Sequence, residues 1–240
     1  MFKKLVLTAA LLAASSANAD TITQWNFNSN PADASSTTGS IIASIGSGSL
    51  SALAGVTVGF SGATANGGST DTATIDNTGF QTTAYAAQGA ANKTRGVQFN
   101  VSTVGFEDIL VNYDLRHSNT SSRYELFQYS LDGTNFVDFA LFDGNAGDTW
   151  FNNRTVDLSP INGADNNASF AFRIVAAFAP GTSAYAASTS TATYAGTGTW
   201  RFDMVTASGA TVAAVPEPET YALLVAGLGF VGFSARRKAV

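Results

Sequence analysis

The chain has 240 residues, a net charge of −5 and a charged fraction of only 12%. From Asp20 to Val212 there are 7 basic against 15 acidic side chains, a balance that argues against nucleic acid as a partner because phosphate backbones are repelled. The absence of cysteine excludes thiolate metal sites and cysteine nucleophiles. Gly, Ser, Thr, Ala and Asn take the place of charged residues, which is typical of short strands joined by many turns. An all-β domain is therefore expected.

Residues 1–19 have the three parts of a secretory signal peptide. Lys3 and Lys4 give a positive start, and an apolar run of ten residues extends from Leu5 to Ala14. Ala17 and Ala19 then supply the small side chains that signal peptidase requires next to its cleavage site. A buried helix of the folded domain is the alternative, but it would not need these parts in this order. We expect export, processing by signal peptidase and a mature chain that begins at Asp20.

Apolar residues alternate with polar ones through much of residues 20–208. This period of two is typical of strands that bury one face and expose the other. The same-face sets are Trp25 with Phe27; Val56 with Val58 and Phe60; Val97 with Phe99 and Val101; Ile109 with Val111, Tyr113 and Leu115; Phe170 with Phe172, Ile174, Ala176 and Phe178; and Trp200 with Phe202 and Met204. Eight or nine strands without an intervening helix predict an antiparallel β-sandwich.

Turn signals and weakly patterned stretches separate these strands. Asp132-Gly133 predicts a hairpin between Tyr124–Leu131 and Phe136–Phe142. Two stretches rich in small residues, 61–92 and 180–198, are expected to be long loops or edge strands. Residues 209–214 are expected to be a short linker.

Several short phrases of the domain resemble galactose-binding-like jelly rolls of secreted bacterial proteins. They are Trp25-Asn26-Phe27; Tyr129-Ser130-Leu131-Asp132-Gly133 with Phe136; Phe172-Arg173-Ile174; and Gly198-Thr199-Trp200-Arg201-Phe202-Asp203. The resemblance implies a two-sheet jelly-roll-like sandwich and is compatible with carbohydrate binding, although many such domains are structural. It also implies that a structural calcium ion is sometimes present, with Asp203 as the position to test.

The residues offer few of the groups that catalysis requires. His117, the only histidine, follows a predicted strand and is expected to be a solvated turn residue. No Gly-x-Ser-x-Gly motif supplies a nucleophilic serine to it. Glu107 and Glu125 are the only glutamates of the domain, and the sequence neither supports nor excludes a hydrolytic carboxylate pair. We predict a protein without catalytic residues.

Two further groups of side chains are candidate binding sites. Asp143–Asp148 places oxygen ligands at loop positions one and three, but it departs from the EF-hand pattern and is also explained as a turn. Calcium is thus the only cofactor considered. Trp150, Tyr185 and Tyr194 lie outside the clear alternation and could stack on sugars, or belong to the core. Arg123 and Arg154 could complete a polar rim around such a platform.

The C-terminal residues 215–240 form three consecutive parts. These are Pro216-Glu217-Pro218, an uncharged run from Tyr221 to Ala235, and the basic cluster Arg236, Arg237 and Lys238. As a helix, the apolar run of fifteen residues reaches about 22 Å, short of the roughly 30 Å hydrocarbon core. Snorkelling basic residues and local bilayer thinning can make up the difference. The basic cluster is expected to stop transfer and remain on the cytoplasmic side.

This segment resembles the PEP-CTERM sorting signal, which implies that exosortase cuts near Pro-Glu-Pro and releases or transfers the product. A single-span tail anchor is the alternative, whereas a glycolipid-anchor signal would lack the basic cluster. The location expected is the inner membrane before processing, and afterwards the periplasm, outer surface or extracellular matrix. The expected function is a non-catalytic surface or matrix protein that associates with exopolysaccharide or with other surface proteins. A dedicated carbohydrate-binding module is the first alternative, and a glycan hydrolase is the second.

Overall fold

The computed structural model describes residues 19–212, which form an antiparallel, jelly-roll-like β-sandwich. The predicted signal peptide up to residue 18, including Ala17, lies outside the described residues, as does the C-terminal segment from residue 213 onward with the Pro216-Glu217-Pro218 motif and the basic cluster. Among the described residues, no helix is long and apolar enough to cross a membrane.

Twelve strands are present between Asp20 and Thr211, with one short 3-10 turn at Asn162–Ala164. The strands are β1 Asp20–Trp25, β2 Ile45–Gly46, β3 Gly48–Ala52, β4 Thr57–Gly62, β5 Thr78–Thr83, β6 Gly96–Val101, β7 Phe106–His117, β8 Tyr124–Ser130, β9 Val137–Asp143, β10 Thr149–Asp157, β11 Ala171–Ala177 and β12 Trp200–Thr211.

The strands form two sheets with every pairing antiparallel. The first sheet has the order β10-β7-β12-β1-β2, and β5 joins the free part of β12 and carries β4 on its other side. The second sheet has the order β3-β6-β11-β8-β9. β12 is thus the centre of the first sheet and β11 the centre of the second.

Aromatic side chains join the two sheets across a shared core. Phe99 of the second sheet contacts Trp25 and Phe202 of the first, with ring centroids 5.2 and 6.4 Å apart. Within its own sheet Phe99 stacks on Phe172 at 4.9 Å. All four side chains are fully buried. Edge-to-face and offset-stacked pairs of this kind add stabilisation beyond that of area burial alone.

The predicted alternation is confirmed where the strands are regular. Ile109, Val111 and Leu115 of β7 all point into the core and are fully buried. The predicted face of β12 is correct only as far as Phe202. Met204 has a positive φ of 47° at a break in register, so that Val205 takes the core position instead of Met204. A β-bulge reverses the faces of all residues that follow it, and apolar spacing alone did not indicate this bulge.

The stretches expected to be loops or edge strands have separate roles. Residues 61–92 contain β5 and, before it, a segment that crosses the first sheet. Residues 180–198 contain no named strand, but they bury Tyr185 and Tyr194, which stack at 4.6 Å against the end of the core. The expected linker begins too early, because β12 continues through residues 209–211 and pairs there with β1 and β7.

Candidate functional site

A single row of polar side chains crosses the outer face of the second sheet. Each of the five strands contributes one residue, and each residue is the register partner of the next: Ser51 of β3, Gln98 of β6, Arg173 of β11, Gln128 of β8 and Asp138 of β9. Four spacings of about 4.8 Å give the row a length of about 19 Å. Solvent reaches Ser51, Gln98, Arg173 and Asp138, whereas Gln128 is largely buried. We call these five residues the polar row.

Hydrogen bonds fix the orientation of the side chains in the polar row. Gln98 accepts a hydrogen bond from Nε of Arg173 at 2.8 Å and donates one to Asn100 at 2.7 Å. Asn100 donates to Ser49 at 3.2 Å, which extends the network to β3. At the other end Asp138 accepts hydrogen bonds from Gln128 at 2.8 Å and from Lys93 at 2.5 Å. Amide groups held in this way present fixed donors and acceptors, which suits a ligand rich in hydroxyl groups.

Arg173 at the centre of the polar row is held from a second direction. Its guanidinium carbon lies 3.5 Å from the ring centroid of Phe136, a residue of the β8–β9 turn, in a cation–π contact. Partial burial lowers the pKa of Arg173. The guanidinium is therefore fixed in both its plane and its direction.

Apolar and small residues border the polar row. Leu126, Val175 and Leu141 are the next register partners along β8, β11 and β9, and Leu141 is exposed while the other two are buried. On the other side a depression of about 410 Å³ adjoins Asn100 and is bordered by Ser49 and by the Asp132 turn. An apolar strip, a polar row and a depression thus lie side by side on one sheet face.

The outer face of the first sheet is covered by a loop instead. Residues 63–71, which we call the strap, lie over it and are held by side chains of three different strands. Trp150 donates from its indole nitrogen to the carbonyl of Ala65 at 3.0 Å, and Asn152 donates to the carbonyl of Gly68 at 2.9 Å. The strap thus covers the first sheet, whereas on the second sheet the polar row remains solvent-accessible except at Gln128, and Leu126 and Val175 beside it are buried.

Two buried carboxylates hold the end of the strap. Asp203 accepts a hydrogen bond from the hydroxyl of Ser69 at 2.6 Å, and Asp114 accepts from the amide and hydroxyl of Thr70 at 2.5 and 2.7 Å. Burial raises the pKa of Asp203 to about 8, and the carboxylates of Asp71 and Asp114 add to the rise. A carboxyl group in this setting is largely protonated at neutral pH.

His117 belongs to a buried polar cluster, and the expectation of a solvated turn histidine was wrong. His117 is fully buried at the end of β7, where its Nδ1 lies 2.8 Å from the carbonyl of Ser122. Because a carbonyl oxygen only accepts, Nδ1 carries the hydrogen. Its Nε2 lies 3.8 Å from Glu125, whose other oxygen lies 2.8 Å from Nε of Arg154. No local pattern indicates this cluster, because its residues come from three strands.

Glu107 and Glu125, which the sequence neither supported nor excluded as a carboxylate pair, are not brought together. Glu107 is exposed near the start of β7, whereas Glu125 lies beside His117 at the other end of that strand. Ten residues of strand separate these ends by about 30 Å. Glycoside hydrolysis requires carboxylates about 5–9.5 Å apart, so these two glutamates do not act together.

Of the two alternatives for Trp150, Tyr185 and Tyr194, the structure favours burial over an exposed sugar platform. Trp150, Tyr185 and Tyr194 are between 3 and 8% exposed and belong to the strap contact and the core. Arg123 and Arg154 form no rim around them: Arg123 pairs with Asp143 through two hydrogen bonds of 2.6 and 2.7 Å, and Arg154 belongs to the buried cluster.

The residues considered for calcium do not fit the ion. The carboxylate of Asp143 is bound by Arg123, and that of Asp148 by Arg116 and Asn66. Both oxygens of Asp203 accept hydrogen bonds, from Ser69 and from the amide of Met204. Between residues 19 and 212, no group of three or more His, Cys, Asp or Glu residues is placed to hold a metal ion. A calcium ion would have to displace arginines or buried hydrogen bonds.

The polar row cannot be recognised from the sequence, although its residues occupy polar positions of the strands. Gln98 alternates with Val97 and Phe99, and Arg173 alternates with Phe172 and Ile174. The alternation predicts that such residues face solvent, but only the pairing order of the strands aligns them.

Comparisons with known proteins identify the C-terminal segment and add structural neighbours of the domain. The family model described as the PEP-CTERM protein-sorting motif matches residues 214–238. No curated protein matches the chain.

Three solved structures are among those similar to the chain, each at low identity. The CBM22-1-CBM22-2 tandem domain of Xyn10C from Paenibacillus barcinonensis has 12% identity and a TM-score of 0.43, with 86% of this chain and 49% of that chain covered. The CBM22-1 xylan-binding domain of the same protein has 11% identity and a TM-score of 0.41, with 83% and 100% covered. The K2 cleaved adhesin domain of Lys-gingipain has 13% identity and a TM-score of 0.31, with 68% and 98% covered. The chain spans about half the length of the tandem structure.

The motif match confirms the expectation drawn from Pro-Glu-Pro, the apolar run and the basic end. It marks an exported protein that is anchored by its C-terminus before processing and is sorted by an exosortase-type system. The chain thus carries a PEP-CTERM sorting motif behind an all-β domain.

Proposed function

We propose that this protein is a non-catalytic surface or matrix protein whose sandwich domain binds polysaccharide along the polar row. The supporting observation is the row itself: five strands each contribute one polar residue to a line about 19 Å long on the open sheet face. After removal of the signal peptide at Asp20 and processing near Pro216-Glu217-Pro218, the domain remains outside the cell, where exopolysaccharide is available.

The chemistry of the row favours sugar over a protein partner. Protein interfaces are enriched in aromatic side chains and methionine as well as in arginine, whereas here the two neighbours of the arginine in the polar row are glutamine amides. Gln98 is solvent-accessible and offers a donor and an acceptor, and the largely buried Gln128 orients Asp138; both glutamines are held by hydrogen bonds to neighbouring side chains. Because they are already ordered, binding costs them little additional side-chain entropy. Phe136 beside Arg173 adds an apolar surface for a sugar ring.

Affinity gels that each contain one soluble polysaccharide test this proposal, because binding retards the migration of the full chain. Gln98→Ala and Gln128→Ala should each weaken retardation, because the first removes an accessible donor and acceptor from the row and the second removes the hydrogen bond that orients Asp138. Gln24→Ala is the matched control, since Gln24 is a glutamine of the first sheet that bonds Thr206 on the neighbouring strand. No retardation by any polymer, or equal retardation of all three variants and wild type, would show that the row is not a polysaccharide site.

A further inference from the structure

We propose, on the basis of the proposed polysaccharide site, that Arg173 binds the carboxylate of an acidic sugar unit. The ligand would then be a uronate-bearing polysaccharide rather than a neutral one. Arg173 differs from the other basic side chains of this acidic domain in its hydrogen-bond partners.

The other basic side chains of the domain have internal partners. Lys93, Arg116, Arg123 and Arg154 pair with carboxylates, and Arg95 and Arg201 donate to backbone carbonyls. Arg173 makes one side-chain hydrogen bond, from Nε to Gln98. Within residues 19–212 no acceptor is bound by its Nη1 or Nη2. Arg173 has no carboxylate partner within residues 19–212, although the domain has 15 acidic side chains.

The free edge of the guanidinium has the geometry that a carboxylate requires. Gln98 occupies the Nε side and Phe136 covers one face, so the edge formed by the two Nη groups has no hydrogen-bond acceptor among residues 19–212. Two parallel N–H donors match the two oxygens of a carboxylate in a bidentate contact. Because the side chain is held before the ligand arrives, little ordering remains to be done on binding.

The charge of Arg173 is better matched by an anion than by a hydroxyl group. Partial burial disfavours its charged form, as the lowered pKa indicates. A carboxylate compensates for the lost hydration through charge-assisted hydrogen bonds, which are about twice as strong as neutral ones. A hydroxyl group of a neutral sugar supplies only a dipole.

The negative charge of the whole domain does not prevent this contact. At physiological ionic strength, exposed charges more than about 8 Å apart are largely screened. Asp138 is the acidic residue of the polar row, and it already pairs with Lys93 and accepts from Gln128. The ligand carboxylate would therefore meet Arg173 rather than an unpaired acid.

Affinity gels with matched polymers test the inference on the full chain at about 0.15 M salt. The probes are polygalacturonate, alginate, polygalacturonate with its carboxyl groups reduced, and dextran sulfate. Wild type should bind at least one uronate polymer, and carboxyl reduction should weaken binding about 10- to 100-fold, the range for loss of a hydrogen bond to a charged group. Arg173→Gln should cause a similar loss, and Arg173→Lys a smaller one.

Arg123→Gln is the matched control, because it makes the same charge change at a position outside the polar row. It should bind like wild type. If reduced and native polymers bind equally and Arg173→Gln has no effect, the inference fails while the proposed polysaccharide site stands. If no polymer binds, both fail. The inference also fails if the protein binds dextran sulfate as tightly as the uronate polymers and if Arg123→Gln weakens binding as much as Arg173→Gln. Those results would show an unspecific electrostatic attraction.

Discussion

Asp114 and Asp203 lie directly opposite each other on β7 and β12, and both are almost completely buried. Each holds one residue of the strap, Thr70 and Ser69 respectively. Arg116 and Arg201, the next opposed pair on the same face, bond to Asp148 and to the Gly62 carbonyl rather than to these carboxylates. Two buried carboxyl groups that lie side by side, with no cation in contact among the described residues, are stable only while one of them keeps a proton. The attachment of the strap therefore depends on pH.

The first prediction concerns this pH dependence. Burial raises the pKa of Asp203 from 3.8 to about 8, so the folded state holds a proton that the unfolded state releases. The stability that this proton provides is complete below pH 3.8 and is lost once the pH has passed about 8. Asp203→Asn removes the titrating group and should flatten this part of the profile, with an effect on the order of a few kcal/mol. Urea unfolding between pH 4 and 9 measures it.

Asp157→Asn is the control for this prediction. The carboxylate of Asp157 is exposed and accepts from Ser159, which lowers its pKa, so this substitution should leave the decline between pH 4 and 8 in place. An unchanged decline in Asp203→Asn would show that Asp203 does not carry the proton.

The second prediction is that His117→Ala destabilises the domain by roughly 2–4 kcal/mol. The histidine ring packs against Trp200 and Phe151 with centroids 5.3 and 5.4 Å apart, and its Nδ1 hydrogen bond to Ser122 would be lost. From the sequence alone, almost no effect is expected for a solvated turn histidine. Denaturant unfolding distinguishes the two, with Ser102→Ala at an exposed position as a control expected within about 0.5 kcal/mol. A midpoint equal to that of wild type would contradict the packing described.

The third prediction places the end of the folding unit at residue 212 rather than 208. A fragment of residues 20–212 should fold alone, whereas residues 20–208 should be less stable by about 1–3 kcal/mol. The shorter fragment loses the pairing of Gly209 with Asp20, and of Ala210 and Thr211 with β7. Circular dichroism and urea unfolding of both fragments provide the comparison. Equal midpoints would show that residues 209–212 are a linker.

The fourth prediction concerns the sorting motif. Replacing Pro216, Glu217 and Pro218 by alanine should leave a longer form that stays in the membrane, because the segment recognised for processing is lost while the apolar run remains. Thr220→Ala is the control and should be processed like wild type. Fractionation and intact mass measure both. Wild-type mass and location for the triple variant would instead support a plain tail anchor.

The sequence by itself determined the C-terminal sorting motif and the class of fold, and it predicts a signal peptide. A signal peptide or a Pro-Glu-Pro motif can be predicted from the order of residues along the chain, because each is a linear segment. Alternation in β6, β7 and β11 is similarly local, since the side chains of one strand point to opposite faces whatever the partner strand is. The hairpin at Asp132-Gly133 could be predicted from its turn residues alone, and β8 and β9 do pair across this turn.

Only the tertiary structure decided which polar residues meet. The polar row depends on the order β3-β6-β11-β8-β9, and register between strands distant in sequence is not encoded in the pattern of any one of them. The same holds for His117, which is buried because Glu125 and Arg154 arrive from other strands. A bulge at Met204 reversed a face that spacing predicted, and the strap turned Trp150 from a candidate platform into a buried donor. In each case a contact between distant segments outweighed the local preference of the residue.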